Sequence, residues 1–329
     1  MHNTDIHMRL ICLCYAATRF AIPCFMLFSG AFIIGNPKNA EAYDWYRKSM
    51  EKIGIPVFVF SVLYILYRIP LCFIGEGKGW NSLIRDILRG EPFYHMWYVY
   101  MLIGVYIAFP WIIKLKIHIG ESLFLKIGIV FFFFSVFSLW TGKFYTNWNA
   151  GMAFCYCGIA VMGYLIFHNR KEKSNIRGIT LAALGMMMEV IIAYRMKPLI
   201  AQGIKDSDLV LSISGPSSPF TIFSALLIFG GASIMSSRIS LSGMAGNTFY
   251  IYLVHAGIWD VISKGAEVVC GKEWLYSLDT RIAVPVAIIA VFVMSNILAW
   301  IYQYFAGKIN SRFQWNRRIV DKILPEKKG

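Results

Sequence analysis

Ionisable side chains stand at several points where the surrounding sequence is almost wholly apolar. They are Arg19, Arg68, His95, Glu189, His255 and Asp260, with Asn247 and Asn296 near or within the same runs. A charge at membrane depth is costly, so such residues mark functional positions by default. Histidine is the one suited to proton transfer, because a neutral imidazole near pH 7 accepts a proton and gives it back. His255 lies eight residues into an apolar run, about 12 Å deep at ~1.5 Å per residue. Helical spacing puts Tyr252 and Trp259 on its face, so it is expected to line a cavity. His95 opens another run beside Trp97 and Tyr98, and fits a cavity or an interface position equally well. Arg19 precedes Pro23 by one helical turn, where a proline frees a carbonyl and kinks the helix, as suits a site wall. Glu189 is too deep to snorkel and calls for a partner. Arg68 and Arg195 are expected to snorkel to the headgroups, and Asp260 to sit at the interface beside Trp259.

The elements that must position these residues are membrane helices. Apolar runs cover 10–34, 53–74, 93–113, 123–140, 148–167, 179–194, 220–235, 248–262 and 282–305. They predict an all-α, polytopic bundle of about nine spans. Residues 35–52 form a polar connector whose Tyr43, Trp45 and Tyr46 among charges suggest a short interfacial helix. Residues 168–177 make a basic turn, and 195–219 form the longest polar connection, closing in a Ser/Gly/Pro-rich turn. Ser29-Gly30 permits a close backbone approach in the first run. No internal repeat or soluble domain is visible, so residues 1–329 read as one membrane domain with a basic tail at 306–329.

The bulk composition agrees. The chain has 329 residues, 57% of them hydrophobic and only 15% charged, with a mean hydropathy of +0.57. A soluble domain of this length could not hide that much apolar surface. The net charge of +14 would suggest nucleic acid in a soluble protein. Here the lysines and arginines fall mostly on alternate connections and the tail, which places that side and the C-terminus in the cytoplasm. No nucleic-acid partner is expected; the bilayer is. An odd number of spans then puts the N-terminus outside. The first run lacks a basic flank, contains Arg19 and continues past Pro23, which argues against a secretory signal. Cys12/Cys14 and Cys155/Cys157 are CxC pairs without a second half, so neither a zinc site nor a disulfide framework is expected.

Three stretches resemble the integral-membrane acyltransferase 3 family, in particular its surface-polysaccharide O-acetyltransferase branch. Arg19, Pro23, Phe25, Ser29 and Gly30 match its Arg-x-x-x-Pro-x-Phe-x-x-x-Ser-Gly helix. His95, Trp97 and Tyr98, leading to Gly104, Tyr106 and Pro110, match its His-x-Trp-Tyr helix. Ile251, Tyr252, Leu253 and His255 match its late Ile-Tyr-Leu-x-His helix. The family opens with a further helix that carries an arginine and a histidine taken as the catalytic base. His2 and His7 do not match it, so the chain resembles a member lacking the first of ten helices.

The resemblance implies transfer of an acetyl or other acyl group from acyl-coenzyme A to a hydroxyl of a surface polysaccharide or lipid-linked glycan, in the inner membrane. His95 and His255 would be catalytic. Arg19, Trp97, Tyr98, Tyr252 and Glu189 would bind substrate. Acetyl-coenzyme A would be the donor, with no metal. A glycan or lipid transporter or flippase is the reading from another class, since a helix bundle with central polar groups suits that too. An inactive remnant is the third.

Overall fold

The computed structural model describes residues 18–73, 79–142, 152–170, 173–201, 213, 215–236, 242–271 and 280–324. Every ordered element among them is a helix. In chain order these are α1 (Ala21–Ile33), α2 (Ala42–Phe73), α3 (Gly79–Arg89), α4 (Trp97–Ile119), α5 (Glu121–Thr141), α6 (Ala153–His168), α7 (Asn175–Ala201), α8 (Pro219–Ile234), α9 (Ser242–Cys270), α10 (Thr280–Phe313) and α11 (Trp315–Ile323). The described part of each apolar run read from the sequence falls mainly on one of these helices; residues 10–17, 74 and 148–151 of these runs, with His2 and His7, lie outside the described residues. Among the described residues five helices are long and apolar enough to cross a membrane: α2, α4, α5, Asn175–Arg195 of α7, and Ile282–Ser311 of α10. The apolar helices α1, α6 and α8 are shorter. The chain is thus an all-helical membrane protein.

Local chemistry sets several of the ends. Gly120 (φ 79°) and Gly142 (φ 65°) bracket α5, the second closing it in the left-handed conformation that glycine adopts without cost. Ser218 caps α8 by accepting from the Phe220 amide, with Pro219 in the first turn where its missing N–H is not needed. The helix expected in the 35–52 connector forms over Ala42–Ser49 but is not separate. It runs as the first turns of α2 through a wide π-helical turn at Met50–Gly54. α3 was not foreseen. Its Leu83, Ile84, Ile87 and Leu88 recur at helical spacing against Arg85, Asp86 and Arg89, a short amphipathic pattern hidden inside a loop.

The described residues divide into two compact units, one drawn from Met1–Trp45 and Met101–Arg238, the other from Tyr46–Tyr100 and Ile239–Gly329. In the first, α1 packs on α6, α6 on α5, and α7 on α8. Small residues make these contacts close. A methyl group added at Gly30 of α1 would overlap the Ala160 carbonyl of α6, and one at Gly163 would overlap the Leu27 carbonyl. Gly178 and Gly231 play the same part between α7 and α8. Lipid offers no hydrophobic drive for helices to associate, so such backbone proximity carries the packing. Lys116, in the last turn of α4, is buried. Its Nζ donates to the Ile34 carbonyl (3.2 Å) and the Tyr164 hydroxyl (3.1 Å), and sits 3.5 Å from Glu121.

In the second unit α9 packs on α10 and α2. The first turns of α9 and the later turns of α10 are joined where Gln303 donates to Asn247 (2.8 Å) and Tyr250 meets Tyr302 (ring centroids 5.4 Å apart). Arg47 pairs with Asp321 of α11 at 2.6 Å. Arg68 bonds to Asp86 of α3 (2.9 Å) and to the Pro92 carbonyl (3.0 Å), because α3 brings a carboxylate within reach that the sequence had left in a loop. Arg195 is exposed at the end of the apolar part of α7.

Candidate active site

The second unit gathers the two histidines. His95 lies in the turn before α4 and is 6% exposed. Phe93, Tyr94 and Tyr64 surround it at ring-centroid distances of 5.7, 5.7 and 5.3 Å. His255, in the middle of α9, meets it edge to face with centroids 5.2 Å apart and planes at 75°. Tyr252, one turn earlier, stands 5.5 Å from the His95 ring, and Tyr98 lies 5.2 Å from Tyr252. Trp97 meets the edge of Tyr98 at 6.1 Å. Four of the residues singled out in the sequence therefore form one cluster, with Trp97 at its margin.

Hydrogen bonds orient both imidazoles. His255 Nδ1 lies 2.7 Å from the Tyr252 carbonyl. A carbonyl only accepts, so Nδ1 carries the proton and the lone pair of the neutral ring is on Nε2. His95 Nε2 lies 3.3 Å from the Leu253 carbonyl, which by the same reasoning leaves its lone pair on Nδ1. That Nδ1 is buried with no hydrogen-bond partner among the described residues. The main chain of His95 is fixed as well, since the Tyr252 hydroxyl donates to its carbonyl at 2.6 Å. The Tyr252 hydroxyl is thus spent on holding the main chain of His95.

Tyr64 of α2 supplies a feature that the sequence did not disclose. Its hydroxyl donates to the Leu253 carbonyl (2.7 Å) and accepts from the Gly257 amide (3.2 Å). These are the two groups that form one rung of a helix ladder, so the hydroxyl bonds to both ends of that rung of α9. Gly257 makes room: a methyl group there would come within 2.9 Å of the Tyr64 ring. The Leu253 carbonyl is also the one that His95 uses. In the second half of α9, Asp260 accepts from Tyr67 (2.5 Å) and pairs with Lys264 (3.2 Å).

Arg19 and Glu189 belong to the first unit. Glu189 is 2% exposed on α7, with the hydroxyls of Ser224 and Thr221 and, after them, the charge of Arg19 acting on it. The wall around it is polar for a membrane interior. Ser224 donates to the Gly185 carbonyl at 2.7 Å, and Cys24 lies 3.6 Å from the Ala225 carbonyl. Cys155 and Cys157 are buried free thiols on α6.

An open, mostly apolar groove of about 760 Å³ runs between α9 and α10. It extends along α9 from Ile251 to Glu267 and along α10 from Ala283 to Phe292, with His255 and Tyr94 in its wall.

Comparison with curated proteins and with solved structures returned no match. The family model for the acyltransferase domain matches residues 2–304, nearly the whole chain and every cluster described above. The chain therefore belongs to the acyltransferase 3 family of membrane acyltransferases.

Proposed function

We propose that the protein moves an acyl group, acetyl in the simplest case, from acyl-coenzyme A to a hydroxyl of a surface polysaccharide or lipid-linked glycan, as in the O-acetyltransferase branch of its family. The observation that carries this reading is His255, held by the Tyr252 carbonyl so that Nε2 keeps its lone pair beside a second, buried imidazole. Nε2 takes the proton of the acceptor hydroxyl while its oxygen attacks the thioester carbonyl. The new C–O bond forms, the C–S bond breaks, and the proton passes from the imidazolium to the leaving thiolate, which departs as the coenzyme A thiol. His95, with an unpartnered Nδ1 beside that ring, acts with it in moving the proton. Trp97, Tyr98 and Tyr252 shape the surroundings of the pair. In the first unit Arg19 and Glu189 are assigned to substrate binding. The donor is cytosolic and anionic, which suits a positively charged inner face in the inner membrane with the C-terminus in the cytoplasm.

The test uses purified protein in nanodiscs with radiolabelled acetyl-coenzyme A and a glycan acceptor. His255→Gln is expected to lower transfer by about 10²–10⁴-fold, the usual contribution of a positioned general base. His95→Ala is expected to reduce it as well, at unchanged abundance in the membrane. Transfer at the wild-type rate by both variants would remove the pair from the chemistry. Glycan movement across the bilayer without acylation would favour a transporter.

A further inference from the structure

Pro110 stands inside α4 and is buried. In an α-helix the amide of residue 110 pairs with the carbonyl of residue 106, and proline has no amide. The Tyr106 carbonyl is therefore short of its helical partner. It is met from outside the helix: the indole Nε1 of Trp45, in the first turns of α2, donates to it at 2.7 Å. The indole also stacks on the Tyr106 ring (centroids 5.4 Å apart, planes at 27°) and meets the ring of the buried Phe109 edge to face at 6.0 Å. The hydroxyl of Ser29 in α1 acts on that of Tyr106. Trp45, Tyr106, Phe109, Pro110 and Ser29 all belong to the first unit. Ser29, Tyr106 and Pro110 are among the motif residues, and acyl transfer at the two histidines leaves them without a part to play.

We infer that Trp45 is a latch: its indole N–H stands in for the amide that Pro110 lacks, and so locks the segment Ala42–Ser49 to the proline break in α4. The match is chemically specific. A carbonyl only accepts, and tryptophan offers one donor on a ring wide enough to cover Tyr106 and Phe109 while the N–H reaches the carbonyl. Phenylalanine would cover the same rings and leave the carbonyl without the donor. Lysine or arginine would donate, but would bring a charge against two aromatic rings and a membrane helix. Taking Trp45 away orphans the carbonyl, which is costly in such a helix. Docking of Ala42–Ser49 and the state of α4 are thereby coupled. A pull on the segment acts on α4 at position 106, and a change of α4 at that position is felt by the segment. The coupling belongs to the fold and does not rest on the acyl-transfer reading.

Two measurements on the full chain in nanodiscs test the latch. The first is a double-mutant cycle read by thermal unfolding. Trp45→Phe keeps an aromatic ring and removes the donor, and is expected to lower the midpoint by about 2–4 °C. Pro110→Ala restores an amide to residue 110, so the Tyr106 carbonyl no longer needs the indole. In that background Trp45→Phe is expected to lower the midpoint by about half as much or less. Equal losses in the two backgrounds would show that Trp45 acts by packing alone, and overturn the inference. The second is amide hydrogen exchange read by mass spectrometry. Pro110→Ala alters no residue of Ala42–Ser49, yet is expected to speed exchange there by about threefold or more while α8 is unchanged. A tryptophan analogue with sulfur in place of the indole N–H, introduced at position 45, keeps the ring system and removes only the donor. It is expected to speed exchange in the same segment to a similar degree, and it tests the latch even if Pro110→Ala does not fold. Exchange in Ala42–Ser49 that the analogue leaves unaltered overturns the inference.

Discussion

Tyr64 does two things with one hydroxyl. It donates to the Leu253 carbonyl and accepts from the Gly257 amide of α9, and the same carbonyl faces His95. Tyr64→Phe removes the oxygen and both of its hydrogen bonds, a loss of about 1–3 kcal/mol. The variant is expected to unfold at lower temperature in a detergent melt and also to lose activity, because the carbonyl that orients the His95 ring loses the donor that fixes it. A melt with unchanged activity would mean that the carbonyl does not orient the ring. Lys116 is a second residue with more than one duty. Glu121 is largely exposed, so that ion pair counts for little. The weight rests on the Ile34 carbonyl at the end of α1 and on the Tyr164 ring, 4.5 Å below the ammonium. Lys116→Met is expected to cost about 1–2 kcal/mol in the same melt.

At the scale of the elements, the glycines of α6, α7 and α8 separate positions that tolerate a side chain from those that do not. Gly230 faces open space, while its neighbour Gly231 lies against the Gly178 carbonyl. Gly231→Leu is expected to abolish the monodisperse peak in size-exclusion chromatography, and Gly230→Leu to preserve it. Equal behaviour of the two would deny the close α7–α8 crossing. The helices themselves were legible from their apolar runs, because a membrane demands long stretches without charge and little else produces them. The meeting of His95 and His255 was foreshadowed by their motifs and by the helical spacing of Tyr252. What escaped the sequence depended on partners far apart in the chain. Nothing near Tyr64 announces that it reaches residues 253 and 257. Arg68 looked like a headgroup contact because α3, with its Asp86, was read as a loop. Lys116 looked like one more cytoplasmic charge, and only the fold shows it turned inward.

At the scale of the molecule, the distribution of charge makes a prediction about orientation. A reporter fluorescent only in the cytoplasm, fused after Gly329, is expected to be bright, and an alkaline phosphatase fused there to be silent. The opposite pair of signals would invert every statement about which face meets coenzyme A. α10 differs from the other long helices in how little of it is covered. Only 11% of its most apolar window is buried among the described residues, against 44% for α4. It is fastened to α9 at one end and bordered by the groove at the other. A wall held in this way rests on its surroundings for much of its support. The thickness and lateral pressure of the host membrane thereby become part of the architecture, and the width of the groove follows the lipids in which the protein is reconstituted.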